Sequence, residues 1–206
     1  MKTGAKFFYK NKDYESANNS LIIKYESARV DQIWQVAEKK YDTLLEKYKG
    51  ASFAKKHHLK RLIPLTALYL TLREDSVDDC TEIISDLIKA QAIQERKKIS
   101  ADTDKNPFLF IKLLKIKLKF YFRPASGFSL HFLPAQKNKI LFEEEESLYN
   151  SFCTEEACPE LSSLFYKFIE YKYSGLAKID FKIKLGEKSE FLFAVRDKDL
   201  WPESVS

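Results

Sequence analysis

Two runs near the end of the chain limit its fold more than any other feature. From Ala177 to Leu185 every second residue is apolar, at Ile179, Phe181, Ile183 and Leu185. After Gly186-Glu187-Lys188 the alternation resumes at Phe191, Phe193 and Val195. A period of two sends successive side chains to opposite faces of a strand, and a glycine-bearing turn between two such runs specifies an antiparallel hairpin. A lone hairpin is marginal in water, so its apolar face needs a second layer.

The N-terminal half supplies that layer with a period near 3.6. Val30, Ile33, Trp34, Ala37, Tyr41, Leu44, Leu45 and Tyr48 form one stripe that Gly50 ends. A second helical segment, Phe53 to Leu72, is apolar nearly all round; Pro64 predicts either a kinked helix or two short ones. A third begins with Ser76 and Asp79, in the manner of a capping box, runs through Ile83, Ile84, Leu87 and Ile88, and turns polar over Glu95 to Lys98. The stretch Ser100 to Asn106 reads as a polar loop closed by Pro107. Phe108 to Phe122 starts as a helix, and alternation over Ile116, Leu118, Phe120 and Phe122 predicts an extended second half. Strands follow at Phe128 to Leu133 and Lys139 to Glu145, then helical pattern from Ser147 to Tyr173, divided at Pro159 and ended by Gly175. The predicted fold is α+β: N-terminal helices packed on a small, mainly antiparallel sheet with a C-terminal β hairpin. Residues 1–25 read as a partly ordered arm, with Asn18-Asn19-Ser20 as loop and Tyr9 and Tyr14 placed to tack it down. Residues 26–199 form the single domain, and 200–206 are a tail whose anchor is Trp201.

Composition narrows the classes of function. A 206-residue chain with 45% hydrophobic and 32% charged residues can bury a proper core. No apolar run approaches about 18 residues, so a membrane partner is not expected. Met1 to Asn19 has no apolar central region of the secretory kind, and a cytoplasmic chain is expected. Three cysteines, Cys80, Cys153 and Cys158, do not make a disulfide framework, and the last two lack a neighbouring Cys/His pair for zinc; neither metal nor cofactor is expected. The net charge of +5 rests on basic stretches such as Lys55 to Arg61 that interleave with apolar residues as solvated faces do. With 30 acidic residues, including Glu143 to Glu146, no nucleic-acid partner is expected.

The order of elements, with His58-Leu59 before Ile63-Pro64-Leu65-Thr66-Ala67-Leu68-Tyr69, then Phe142 to Ser147, Pro159-Glu160-Leu161, Gly175-Leu176 and the Phe181 strand with Gly186, resembles the L-2-amino-thiazoline-4-carboxylic acid hydrolase family. The resemblance spans about Val30 to Val195 and implies a hydrolase that opens a small C–N ring with water, on a bacterial route to cysteine. That chemistry needs an activated water, an acid near the leaving nitrogen and a cation for the substrate carboxylate. Where the family pattern carries cysteines and an aspartate, this chain has Ser147, then Tyr166 and Ile169, then Glu190. Serine without a base is a far weaker nucleophile than a thiolate, and isoleucine does no acid–base work.

The catalytic candidates are Glu144 and Glu146, from the strand pattern, with Ser147 and the general base His58 as the resemblance implies. Alternation puts Glu144 and Glu146 on the face shared with Phe142, where burial would raise a carboxyl pKa. The substrate-binding candidates are Tyr69 and Arg123, the latter at a strand end as a fork for a carboxylate, with Tyr166 and Glu190 added as the resemblance implies. Two readings follow. One is a hydrolase of a small cyclic C–N substrate; the other is a catalytically silent relative that binds a small molecule or a protein. The sequence leaves the oligomeric state open.

Overall fold

The computed structural model of the chain describes residues 7–196, apart from positions 78 and 136. The expected anchor Trp201, the tail and the side chain of Tyr9 lie outside the described residues. The fold is α+β. Helices α1 (Phe7–Lys10), α2 (Glu15–Lys24), α3 (Ser27–Lys47), α4 (Phe53–Glu74), α5 (Cys80–Lys105) and α6 (Pro107–Tyr121) precede strands β1 (Ser129–Leu133) and β2 (Lys139–Glu146). Helices α7 (Leu148–Glu155) and α8 (Glu160–Tyr173) come next, and the hairpin of β3 (Ile179–Lys184) and β4 (Ser189–Val195) closes the order.

The four strands form one antiparallel sheet in the order β1-β2-β4-β3. Register places Phe181 opposite Phe193, Phe193 opposite Ile140, and Phe142 between Phe132 and Phe191, so one face is a continuous aromatic layer. Phe142 stacks on Phe191 with ring centroids 4.8 Å apart. Helices α6 and α8 lie against the sheet, α5 packs on α8, and α4 joins α3 to the rest. Hydrophobic burial across these layers is the main force holding them together.

Four expectations are corrected. The N-terminal region is helical rather than loop: Asn18 lies inside α2 and accepts a hydrogen bond from the Trp34 indole N–H at 2.9 Å. Asn and Ser disfavour helices locally, but tertiary contacts win here. Phe8 stacks on Trp34 at 5.4 Å, Phe7 on Tyr41 at 4.4 Å, and the Phe7 N–H donates to Glu38 at 3.0 Å. Second, Ser76 caps no helix among the described residues. It adopts φ +54° in the turn after α4, and α5 starts at Cys80 behind Asp79. Third, the supposed loop at Ser100 continues α5 to Lys105, with buried Thr103 donating to the Ser100 carbonyl at 2.8 Å. Fourth, Phe108 to Tyr121 is helix throughout. Asn106 caps it by accepting from the Leu109 N–H, Pro107 occupies its first turn, and Ile111, Leu114 and Leu118 point inward. The open question at Pro64 resolves to a single helix that runs across it.

Candidate functional site

Strand β2 determines where Glu144 goes. It follows Ile140 and Phe142 by four and two residues and shares their inner face, opposite Leu130 on one side and Ser189 on the other. The carboxyl is therefore held against the aromatic layer and is only 4% exposed. From α8 the Tyr166 hydroxyl donates to its Oε2 at 2.6 Å. Ser147 ends the strand and caps α7, its Oγ accepting from the Tyr149 N–H at 3.2 Å. Desolvation pushes the Glu144 pKa up, Tyr166 and Ser147 pull it down, and burial prevails, leaving it at about 7.

Glu144 faces a cavity of about 400 Å³ between the sheet, α4, α5, α6 and α8. Phe142, Phe191 and Phe193 line its sheet side, Leu114 and Leu118 its α6 side, and His58, Tyr149 and Phe168 further parts of the wall. His58 is buried, with its Nε2–H donating to the Tyr121 carbonyl at 3.0 Å and its ring against Phe122 and Phe128. Burial lowers its pKa to about 4, against the Tyr121 bond and with help from His57 and Arg61, so the ring is neutral near pH 7. With a carbonyl as partner the Nε2 carries the proton, which leaves Nδ1 unprotonated.

Sequence reasoning missed the cations of this cavity. Arg61 of α4, Glu95 of α5 and Lys172 of α8 also line it. The Arg61 guanidinium lies 3.8 Å from the Phe168 ring centroid and pairs with Glu95, which also takes Lys172 at 2.6 Å. Partial burial raises the Glu95 pKa, but the two cations outweigh it and hold the carboxyl below its usual range. The trio carries one net positive charge. A second cavity of about 380 Å³ shares His57, His58, Arg61, Glu95, Tyr149 and Phe168 with the first and reaches Phe7 and Tyr14.

The structure thus gathers Glu144, Ser147 and Tyr166, with His58 on the same cavity. It does not gather the others. Glu146 is exposed, because the pairing of β2 with β4 stops at Glu144 and the strand end leaves the inner layer. Tyr69 donates to Glu160 beside Arg73 and lines neither cavity. Arg123 is exposed with its guanidinium 5.3 Å from the Phe120 ring, and Glu190 is exposed 3.8 Å from Lys184. Cys80, Cys153 and Cys158 are free thiols. Among the described residues no group of three or more His, Cys, Asp or Glu converges to hold a metal, and no helix is long and apolar enough to cross a membrane.

No protein-family model, no curated protein and no solved structure matches the chain.

Proposed function

We propose that the chain binds a small cyclic carboxylate with an amidine-like C–N edge in the Glu144 cavity and hydrolyses that C–N bond. The observation that carries this reading is a buried carboxyl titrating at about 7 inside an aromatic-walled cavity that also holds a net cationic cluster. The ligand ring lies among Phe142, Phe191 and Phe193, its carboxylate meets Arg61 and Lys172, and its C–N edge meets Glu144. Ionised Glu144 takes one proton from water as the oxygen adds to the C=N carbon and gives it to the nitrogen; it then takes the hydroxyl proton of the adduct as the C=O bond forms and the C–N bond breaks, and delivers that proton to the departing nitrogen. The resemblance to amino-thiazoline-carboxylate hydrolases supports the choice of substrate class.

A second reading, binding without turnover, has its own support. The Ser147 hydroxyl is engaged as a helix cap and the His58 Nε2 proton by a backbone carbonyl, which leaves the Glu144 carboxyl as the catalytic candidate poised to exchange a proton near pH 7. Incubation with 2-amino-thiazoline-4-carboxylate, following ring opening, separates the two. Hydrolysis should rise with pH through about 7 as Glu144 ionises, and Glu144→Gln should slow it by roughly 100-fold or more. Thermal stabilisation by the compound with no ring opening selects the binding reading. Neither effect in the wild-type chain overturns the proposal.

A further inference from the structure

Helix α6 carries two apolar stripes. Ile111, Leu114 and Leu118 form the buried one. On the opposite side Leu109, Leu113, Ile116 and Phe120 recur at spacings of four, three and four, and are 48%, 47%, 56% and 48% exposed. Those spacings keep the four side chains in line along the helix. A solvated face ordinarily carries polar residues there. Here the polar residues are confined to the flanks, and all four are exposed lysines: Lys112, Lys115, Lys117 and Lys119. The helix contains no Asp or Glu.

Charge decides what can cover this stripe. Its spacing is that of a coiled-coil seam, but pairing with a second copy would set Lys112, Lys117 and Lys119 against lysines with no acid to answer them. The covering surface must bring negative charge. The four side chains line neither cavity, so they form a ridge that inserts rather than a groove that receives a peptide. Phe53, 71% exposed, stands close to the turn that follows α6, where the neighbouring Ser52 hydroxyl donates to the Ala125 carbonyl. An apolar ridge between lysines is the arrangement that lies flat in a bilayer interface, with leucines at the acyl boundary and lysine stems reaching to phosphates. We propose that α6 is a peripheral membrane-binding face that docks on anionic lipid. The expectation of no membrane partner is thereby narrowed to spanning segments, and the inference does not depend on the Glu144 reading.

Co-sedimentation of the full chain with vesicles of phosphatidylcholine alone, or mixed with phosphatidylserine, tests it. Binding is expected to the anionic vesicles only and to weaken with salt. A triple Lys112→Gln, Lys115→Gln, Lys119→Gln variant should partition roughly 100-fold less, each lysine contributing roughly fivefold. A Leu113→Ser, Ile116→Ser variant should also lose binding with its melting temperature unchanged, since both positions face solvent. Failure of the wild-type chain to bind either vesicle overturns the proposal. So does a wild-type dimer that Leu113→Glu dissolves without any vesicle binding, which would assign the stripe to a second copy.

Discussion

Two tyrosine–glutamate pairs in this fold make the same hydrogen bond and have opposite electrostatic outcomes. In one, the Tyr166 hydroxyl donates to Glu144; in the other, Tyr69 donates to Glu160. Glu144 sits on the inner face of the sheet, no cation pairs with it among the described residues, and its pKa rises to about 7. Glu160 begins α8 at the surface, with a side chain 40% exposed. Desolvation is the largest single effect and raises it, but Tyr69, its own backbone amide and Arg73 at 3.3 Å together outweigh that and hold it below the usual range. The hydrogen bond favours the charged form in both cases, so it cannot explain the difference. Solvation and the presence of a cation decide the sign. One pair is therefore a carboxyl held near neutrality beside a cavity, and the other a charged carboxylate at the edge of solvent.

The largest test of this contrast is stability against pH in Glu144→Gln. A carboxyl raised from its usual 4.5 to about 7 in the folded state binds more protons folded than unfolded between those values. Its contribution is full below about 4.5 and is lost as pH rises through 7, on the order of 3 kcal/mol in all. His58 opposes it. Lowered from 6.5 to about 4, it contributes stability that is present above 6.5 and lost as pH falls through 4. The two slopes nearly cancel in the wild-type chain between about pH 4.5 and 6.5. Glu144→Gln removes only the first, so its stability in urea unfolding should rise with pH across that window and exceed wild type by up to about 3 kcal/mol near pH 8. Parallel curves for the two proteins would remove Glu144 as the buried titrating group.

How far the sequence reaches is clearest at these residues. Glu144 was legible because strict alternation from Ile140 and Phe142 carries it to the apolar face. Glu146 obeys the same alternation but is exposed, because its pairing with β4 ends at Glu144 and the register with β1 shifts beside it, and where pairing ends is a tertiary fact. The Arg61, Glu95 and Lys172 cluster was hidden, since its members come from three helices and each reads locally as a surface charge. Tyr166 was reached only through the family resemblance; nothing in its own helical stripe marks it. The second half of α6 misled for a different reason. A helix with apolar residues on two opposite faces generates short runs of period two, which a strand also produces. In α2 the weak local signal of Asn18, Asn19 and Ser20 was overridden by packing in which Trp34 bonds Asn18, a contact that no local window contains.

Tyr166→Phe sharpens the contrast with an intermediate effect. The hydroxyl stabilises the ionised carboxylate, so its loss should move the Glu144 pKa above 7, measurable by carboxyl carbon NMR titration. The variant should lose about 1–3 kcal/mol at pH near 8, where the acceptor is charged, and less near pH 5, where it is protonated. A pKa that stays in place would mean that Tyr166 does not govern the group.

Tyr69→Phe should have the smallest effect. The hydroxyl it removes serves a carboxylate that keeps Arg73 and open solvent, and Arg73 keeps its 2.7 Å bond to the Ala157 carbonyl. An exposed pair of this kind contributes about 0–1 kcal/mol, because water replaces the lost donor and long side chains lose entropy in pairing. The tyrosine ring stays packed in the core, so the transfer term is untouched. The expected result in urea unfolding is a loss below about 1 kcal/mol that is the same near pH 5 and near pH 8, since Glu160 is ionised at both. A loss as large and as pH-dependent as that of Tyr166→Phe would show that desolvation is not what separates the two pairs. The surface pair would then have to be treated as a second buried site.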